Sequence, residues 1–358
     1  MTYRVPIGPY HLALEEPYKI EVACEGENVT GARLTVGYNF RGIEWLAEHK
    51  NITQSIALME RVCGICSNVH SMTFCLALER IGALEVPARA QHIRVVMAEL
   101  ERIHSHILWA GVAAELTGFH SLFMTCFHLR ERVMDLLERI SGNRVNYSMN
   151  RIGGVNRDLV CEGEVLAGIR EIRAGLLETL IPIFTTDRTL AARCAGVGRL
   201  TREDALAYGA VGPVARASGV DQDLRRDAPY LVYGQLDFPV PVGANGDVFD
   251  RVVVRAQELL ASCSLVEQAI ERMPAGPIHQ GDLYAVAPGE AVMRIEAPRG
   301  EVFYYVASDG TDLPARVKVR TPTFLNIPTV VPMLTGAALA DVPLIQGSID
   351  PCYSCTDR

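Results

Sequence analysis

The apolar residues of this chain keep two rhythms. In residues 18–39, "YKIEVACEGENVTGARLTVGYN", hydrophobic and polar positions partly alternate on either side of a polar turn, which predicts a β-hairpin. From residue 50 to about 145 the spacing becomes three and four, so that Ile93, Val96, Leu100, Ile103 and Ile107 would share one face of a helix. "CFHLRERVMDLLERISG" repeats that spacing and stops at Gly142, a suitable helix end. Helical spacing returns over 162–182, 202–210 and 246–273. Alternation resumes over 281–321 in "AVMRIEAP", "GEVFYYVAS" and "ARVKVRT", separated by Gly, Pro and Asp turns. The pattern predicts a mainly α fold with β-rich N-terminal and C-terminal segments, in the α+β class. Its parts are a β-rich lobe over 1–45, a helical core over 50–275, a β-rich segment over 281–325 and a terminal motif over 350–358. All belong to one expected domain, 1–358.

Composition narrows the classes. With 49% hydrophobic and 21% charged residues, the chain has the make-up of a globular protein with a substantial core. A net charge of −8, with no run of Lys and Arg, argues against nucleic-acid binding. The first residues lack the apolar stretch of a signal peptide. The apolar stretch 324–345 is broken by Asn326, Pro328, Pro332, Gly336, Asp341 and Pro343, so no spanning helix is expected. A cytoplasmic chain that docks on a membrane partner fits these features.

Of ten cysteines, Cys24, Cys75, Cys126, Cys161, Cys194 and Cys263 are isolated and read as small buried hydrophobes. The other four form two Cys-x-x-Cys pairs at opposite ends of the chain, Cys63/Cys66 in "RVCGIC" and Cys352/Cys355 in "DPCYSCTDR". Thiolates are soft ligands suited to zinc, copper(I), iron–sulfur clusters and other thiophilic metals, and two such pairs suggest one shared site. A closed structural zinc site is the plain alternative, although such sites usually staple small chains that lack a core. His70 follows Cys66 by four residues, and on a helix both would face the same side. Glu44 follows an Arg-Gly turn, and Arg299 follows Pro298 at a strand–turn junction, where its guanidinium could present fixed donors to an anion. Taken singly, each of these three reads as an ordinary surface or helix-start residue.

Together the motifs are more specific. "RGIE" (41–44), "RVCGICSNVH" (61–70), "EAPRGE" (296–301), "RTPTFLNIP" (320–328) and "DPCYSCTDR" (350–358) resemble those of the large subunit of NiFe hydrogenases. The finer resemblance is to the energy-converting, membrane-bound branch, which includes the Ech and CO-induced hydrogenases. The N-terminal stretch is also similar to the quinone-site subunit of respiratory complex I, a relative that lacks the four cysteines.

The resemblance implies nickel held by Cys63, Cys66, Cys352 and Cys355. Cys66 and Cys355 would bridge to an iron that carries CO and cyanide ligands. It further implies that Glu44 relays protons between a cysteine sulfur, that of Cys355, and the outside, its carboxyl pKa raised by partial burial beside a thiolate, and that Arg299 and Thr323 donate to the cyanide. His70 and Pro298 would support the site. The last motif ends in Arg358 where other branches carry a histidine, so no magnesium ion is expected. His104 and His106 are expected on the polar face of a helix.

The activity implied is reversible proton reduction, 2H⁺ + 2e⁻ ⇌ H₂, driven by reduced ferredoxin and coupled to ion translocation. The implied partners are a small subunit with one proximal 4Fe-4S cluster, a ferredoxin-like iron–sulfur subunit and ion-translocating membrane subunits. The place implied is the cytoplasmic side of the cell membrane. A complex I-like quinone-binding subunit and a structural zinc protein are the alternatives.

Overall fold

The computed structural model describes residues 2–12, 14 and 16–358. Strands β1 (Thr2–Ile7), β2 (Lys19–Glu25) and β3 (Asn28–Thr35) form an antiparallel sheet in that order. Alternation works as expected along β2, where Ile20, Val22 and Cys24 are buried on one face. The free edge of β3 is covered by the distant chain end: Val29 N donates to Ala337 O at 2.9 Å, and Leu339 N to Glu27 O at 2.9 Å. These bonds hold the N-terminal sheet against the segment that leads into the second cysteine pair.

Helices α1 (Ile43–Ala47), α2 (Ile52–Met59), α3 (Ser67–Ile81), α4 (Ala88–Leu116) and α5 (His120–Ser141) follow. Helix α5 ends at Gly142, whose φ of 79° is the left-handed conformation that glycine adopts without strain. Helix α4 lies between α5 and the helix Val248–Glu271, and its apolar stripe forms the centre of the core.

Because α4 has neighbours on nearly every side, the expectation of a polar face for His104 and His106 fails. Both are buried. The polar residues of α4 instead find buried partners, as burial requires. Arg94 pairs with Glu79 at 2.7 Å, Glu99 with Arg225 at 3.2 Å, and His106 with Glu258 at 2.8 Å.

Strands β4 (Asn150–Arg151) and β5 (Gly154–Val155) make a minimal hairpin. Helix α6 (Glu162–Gly175) runs on through a wider turn, Leu176–Leu180, into Ile181–Thr186, past Pro182. Near the other end, β6 (Gly289–Ala297), β7 (Gly300–Ser308) and β8 (Pro314–Arg320) form a second antiparallel sheet in that order. The β-rich stretch is narrower than expected. Residues 281–288 are not strand, and Pro322–Asn326 is a short helix, begun by a proline whose missing N–H costs nothing at a helix start.

The tip of the β6–β7 hairpin is Pro298–Arg299, with Ala297 paired to Gly300. It rests against Gly212, where an added Cβ would lie 2.4 Å from Arg299 O. A glycine there lets the two backbones touch and fixes where Arg299 emerges. The fold is thus mainly α with small antiparallel sheets near both ends. Among the described residues, no helix is long and apolar enough to cross a membrane.

Candidate metal centre

The two cysteine pairs meet. Cys63 Sγ lies 3.5 Å from Cys352 Sγ, Cys66 Sγ lies 3.6 Å from Cys355 Sγ, and Cys352 Sγ lies 3.1 Å from Cys355 Sγ. All four are buried. A metal about 2.3 Å from each sulfur in a tetrahedral site would set them about 3.8 Å apart; Cys63, Cys66 and Cys355 lie within 4.8 Å of one another, and Cys352 joins them through Cys63 and Cys355. The separations are far beyond the roughly 2.05 Å of a disulfide.

Each pair sits on a helix start. Cys66 immediately precedes α3, and Cys352 caps the short helix Tyr353–Asp357 by accepting from Cys355 N at 3.4 Å. In the first pair, Cys63 Sγ accepts from Ile65 N at 3.3 Å and Cys66 N at 3.4 Å. The first cysteine of each pair therefore takes backbone donors from its own turn.

The thiols share too little charge-stabilisation for all to ionise. The Cys63 thiol is held well below the ordinary range by hydrogen bonds from Cys352, Cys355 and Cys66. Burial pushes Cys355 up. Cys66 and Cys352 each receive a lowering hydrogen bond from Cys355, which the contact with Cys63 and burial outweigh, so both are raised. Four buried sulfurs competing for one negative charge are a donor set that a thiophilic cation would suit, since it lets all of them deprotonate.

The surrounding contacts clamp both turns. Arg41 donates to Arg61 O at 2.7 Å and Val62 O at 2.9 Å before the first pair, and to Ser354 O at 2.6 Å inside the second. His104 Nε2 meets Ile65 O at 2.9 Å, and burial lowers its pKa to about 3, so it is a neutral donor. Glu101 accepts from Asn68 N at 2.7 Å and Val69 N at 3.0 Å. Around the second pair, the Glu16 carboxylate takes the N–H groups of Tyr353 and Ser354, and Tyr18 stacks on Tyr353 with ring centroids 3.9 Å apart.

The expected site residues fall in distinct places. His70 shares its side of α3 with Cys66: its Nε2 is 3.6 Å from Cys355 Sγ and its Nδ1 2.8 Å from the Tyr304 hydroxyl. Burial lowers its pKa to about 4, so the ring is neutral and one N–H can face the sulfur. Thr323 Oγ1 accepts from Cys352 N at 3.1 Å, which fixes the second turn. Arg299 is buried and held by Asp350, through Nε to the backbone carbonyl at 2.9 Å and Nη2 to Oδ1 at 2.7 Å. Its charge is felt by Cys352, Cys63 and Cys66, and buried Pro298 sets its hairpin turn.

Glu44 corrects the expectation of a raised pKa. Its carboxylate accepts from Lys318 Nζ at 2.6 Å, Val319 N at 2.9 Å and Arg358 Nε at 2.9 Å. Although burial opposes ionisation, these donors outweigh it and hold Glu44 below the usual range.

Sequence reasoning passed over Arg41 and Asp350, although both stand inside the quoted motifs, and over Glu16, Glu101 and the contact role of His104. Arg41 was visible only as a member of "RGIE". Glu16 carried no signal, because its partners lie at the other end of the chain.

Residues 41–110 match the family described as "Nickel-dependent hydrogenase", and residues 117–288 and 282–358 match "Respiratory-chain NADH dehydrogenase, 49 Kd subunit". The chain is 44% identical to a carbon monoxide-induced hydrogenase of Rhodospirillum rubrum, over 100% of this chain and 99% of that protein. It is 42% identical to the membrane-bound hydrogenase subunit alpha of Pyrococcus furiosus, over 99% and 87%. A solved membrane-bound sulfane sulfur reductase, an archaeal respiratory membrane complex, matches with a TM-score of 0.94 and 34% identity, covering 100% of this chain and 98% of that one. With the four-cysteine cluster in place, the chain belongs to the NiFe hydrogenase large-subunit family, in its energy-converting membrane-bound branch that is related to the 49 kDa subunit of respiratory-chain NADH dehydrogenase.

Proposed function

We propose that this chain is the catalytic subunit of a reversible hydrogenase, which interconverts protons and electrons with H₂. The observation that carries this reading is the convergence of four buried thiols from both ends of the chain. Cys63, Cys66, Cys352 and Cys355 would hold nickel, with Cys66 and Cys355 shared with an iron bearing CO and cyanide. When bound, such a centre supplies redox chemistry, which zinc does not.

The chain's own residues then have defined tasks. Arg41, Thr323 and Glu16 hold the two turns in register. Arg299, anchored by Asp350, places a permanent positive charge beside the sulfurs and offsets their negative charge. His70 keeps a neutral N–H available to the Cys355 sulfur. Glu44, which Arg358 anchors beside the second pair, would exchange protons with that pair, and its ionised state makes it an acceptor first.

Electrons would reach the centre from one 4Fe-4S cluster in a small partner subunit. A ferredoxin-like subunit, reduced ferredoxin and ion-translocating membrane subunits would complete a complex on the cytoplasmic side of the membrane. The relatives named as membrane-bound hydrogenase and carbon monoxide-induced hydrogenase support this assignment. A quinone-binding role is the second reading, favoured by the match of residues 117–358 to the 49 kDa family.

Metal analysis of Cys66→Ser and Cys355→Ser tests the proposal. Hard oxygen replaces soft sulfur poorly, so nickel and H₂ evolution should be lost together. Full nickel and activity in either variant would reject the ligand set.

A further inference from the structure

A second carboxylic acid lies within one helical turn of Cys66. Glu101 on α4 is fully buried, and its two oxygens accept from Asn68 N at 2.7 Å and Val69 N at 3.0 Å. Among the described residues it has no ion pair. The charged groups that face it are Cys63 and Glu60.

Around it, three buried polar atoms have no hydrogen-bond partner among the described residues: Tyr147 Oη, Asn68 Nδ2 and Asn150 Oδ1. Buried polar atoms of this kind are ordinarily satisfied by internal water. Tyr147 is buried in the same region, close enough for the charges of Glu101, Glu60 and Cys66 to act on its hydroxyl. Asn150 Nδ2 donates to Asn68 Oδ1 at 2.8 Å and to Ser71 Oγ at 3.0 Å, and Ser71 Oγ meets Glu60 at 3.4 Å.

Glu60 is the far end of this cluster. Its carboxyl is buried, accepts from Ser148 N at 2.9 Å and reaches Arg61 at 3.3 Å. It also lines an open cleft of about 370 Å³ together with Ser148, Asn150, Asn156 and Asp282. A line of polar side chains therefore runs from the turn after Cys66 to solvent.

We propose that this cluster is a proton relay between the cysteine site and the Glu60 cleft, with Glu101 and Glu60 as its carriers. The proposal rests on the hydrogenase reading and adds to it a route that does not use Glu44. In H₂ evolution the Glu101 O–H bond breaks as its proton passes to a cysteine thiolate, where an S–H bond forms. Glu101 regains a proton from Glu60 by way of internal water along the Asn68–Asn150–Ser71 line, and Glu60 regains one from water in the cleft. One proton enters for each delivered, and no electron moves along the line. H₂ oxidation runs the same transfers in reverse.

Both carriers suit the task. Burial raises the Glu60 carboxyl above the usual range and Glu101 well above it, against backbone donors that pull the other way. Glu44, with two cations on its carboxylate, is shifted in the opposite direction.

The test uses the intact complex carrying Glu101→Gln or Glu60→Gln, with nickel content, H₂ evolution and H/D exchange with solvent measured together. Infrared spectra in H₂O and D₂O follow the carboxyl C=O band. The relay predicts that Glu101→Gln keeps nickel and loses about 10²-fold in both rates, the scale of a general acid–base group. It also predicts a protonated-carboxyl band at neutral pH that is absent from Glu101→Gln. Nickel retention with rates within about twofold of wild type would overturn it. Should Glu101→Gln lose nickel, Glu60→Gln decides, because among the described residues the hydrogen bonds of Glu60 go to Arg61, Ser71 and Ser148 and to no cysteine: slowed rates support the relay, unchanged rates overturn it. A wild-type complex that evolves no H₂ would instead reject the hydrogenase reading itself.

Discussion

Arg41 offers the sharpest perturbation of the site, because one side chain ties both cysteine turns together without touching a sulfur. Replacing it by Met keeps most of the length and removes the three bonds to Arg61 O, Val62 O and Ser354 O. Part of Arg41 is exposed, so water can replace some of what is lost, and each bond is worth about 0.5–1 kcal/mol net. Three of them come to about 2 kcal/mol. If that energy is spent on holding the two turns at the separation a shared ion needs, it corresponds to roughly a 30-fold weaker hold on nickel. This agrees with the 10–100-fold typical of residues that orient metal ligands.

The assay is nickel retention by the purified complex against a chelator series, with Arg41→Lys as companion. Lys keeps the charge but cannot reach three carbonyls in fixed directions, so it should fall between wild type and Met. Retention of nickel by Arg41→Met within about twofold of wild type would refute the clamp.

Three further outcomes follow from the geometry. Arg299→Lys should keep nickel yet lose roughly 10²-fold in H₂ evolution, because a point charge cannot hold both Asp350 oxygens and still face the sulfurs; unchanged turnover would return Arg299 to a merely structural turn. Gly212→Ala should destabilise the chain by about 1–3 kcal/mol in denaturant unfolding, since its Cβ would meet Arg299 O at 2.4 Å and the φ there is 63°; an unshifted midpoint would contradict the close packing. Stability should fall as pH drops from about 6.5 towards 3. His104 is neutral when folded, with a pKa near 3, but protonates near 6.5 once unfolded, so it contributes about 1.4 kcal/mol per pH unit across that window. His104→Asn should flatten this slope.

Much of the frame could be read from the residues themselves. Alternation located β2, β3 and the three strands of the second sheet, and spacing located α4, α5 and the long helix Val248–Glu271. A lone Cys-x-x-Cys says little, but two such pairs in a chain that needs no staple pointed to one shared thiolate site. What stayed hidden depends on contacts between distant parts of the chain.

Glu44 meets Lys318 and Arg358, 274 and 314 residues away, and these cations reverse the pKa shift that burial alone would give. Nothing local in "RGIE" shows them. His104, four residues after Leu100 and three before Ile107, lies on the apolar stripe of α4, so its burial was legible in the spacing. His106 lies off the stripe, which points it to solvent by periodicity, and the helices packed around α4 bury it instead. Glu101 was silent for the same reason, because a carboxylate on a helix reads as exposed until its neighbours are known.

On the proposed reading, the four thiols would hold a nickel–iron centre with diatomic ligands on the iron. Infrared spectroscopy of the purified complex, with nickel and iron quantified on the same sample, tests it most directly, because CO and cyanide bound to iron absorb where proteins do not. Nickel and site iron are expected in equal amounts, with one set of CO and cyanide bands that disappears in Cys66→Ser and Cys355→Ser. Zinc alone, or a complex with no such bands and no nickel, would contradict it.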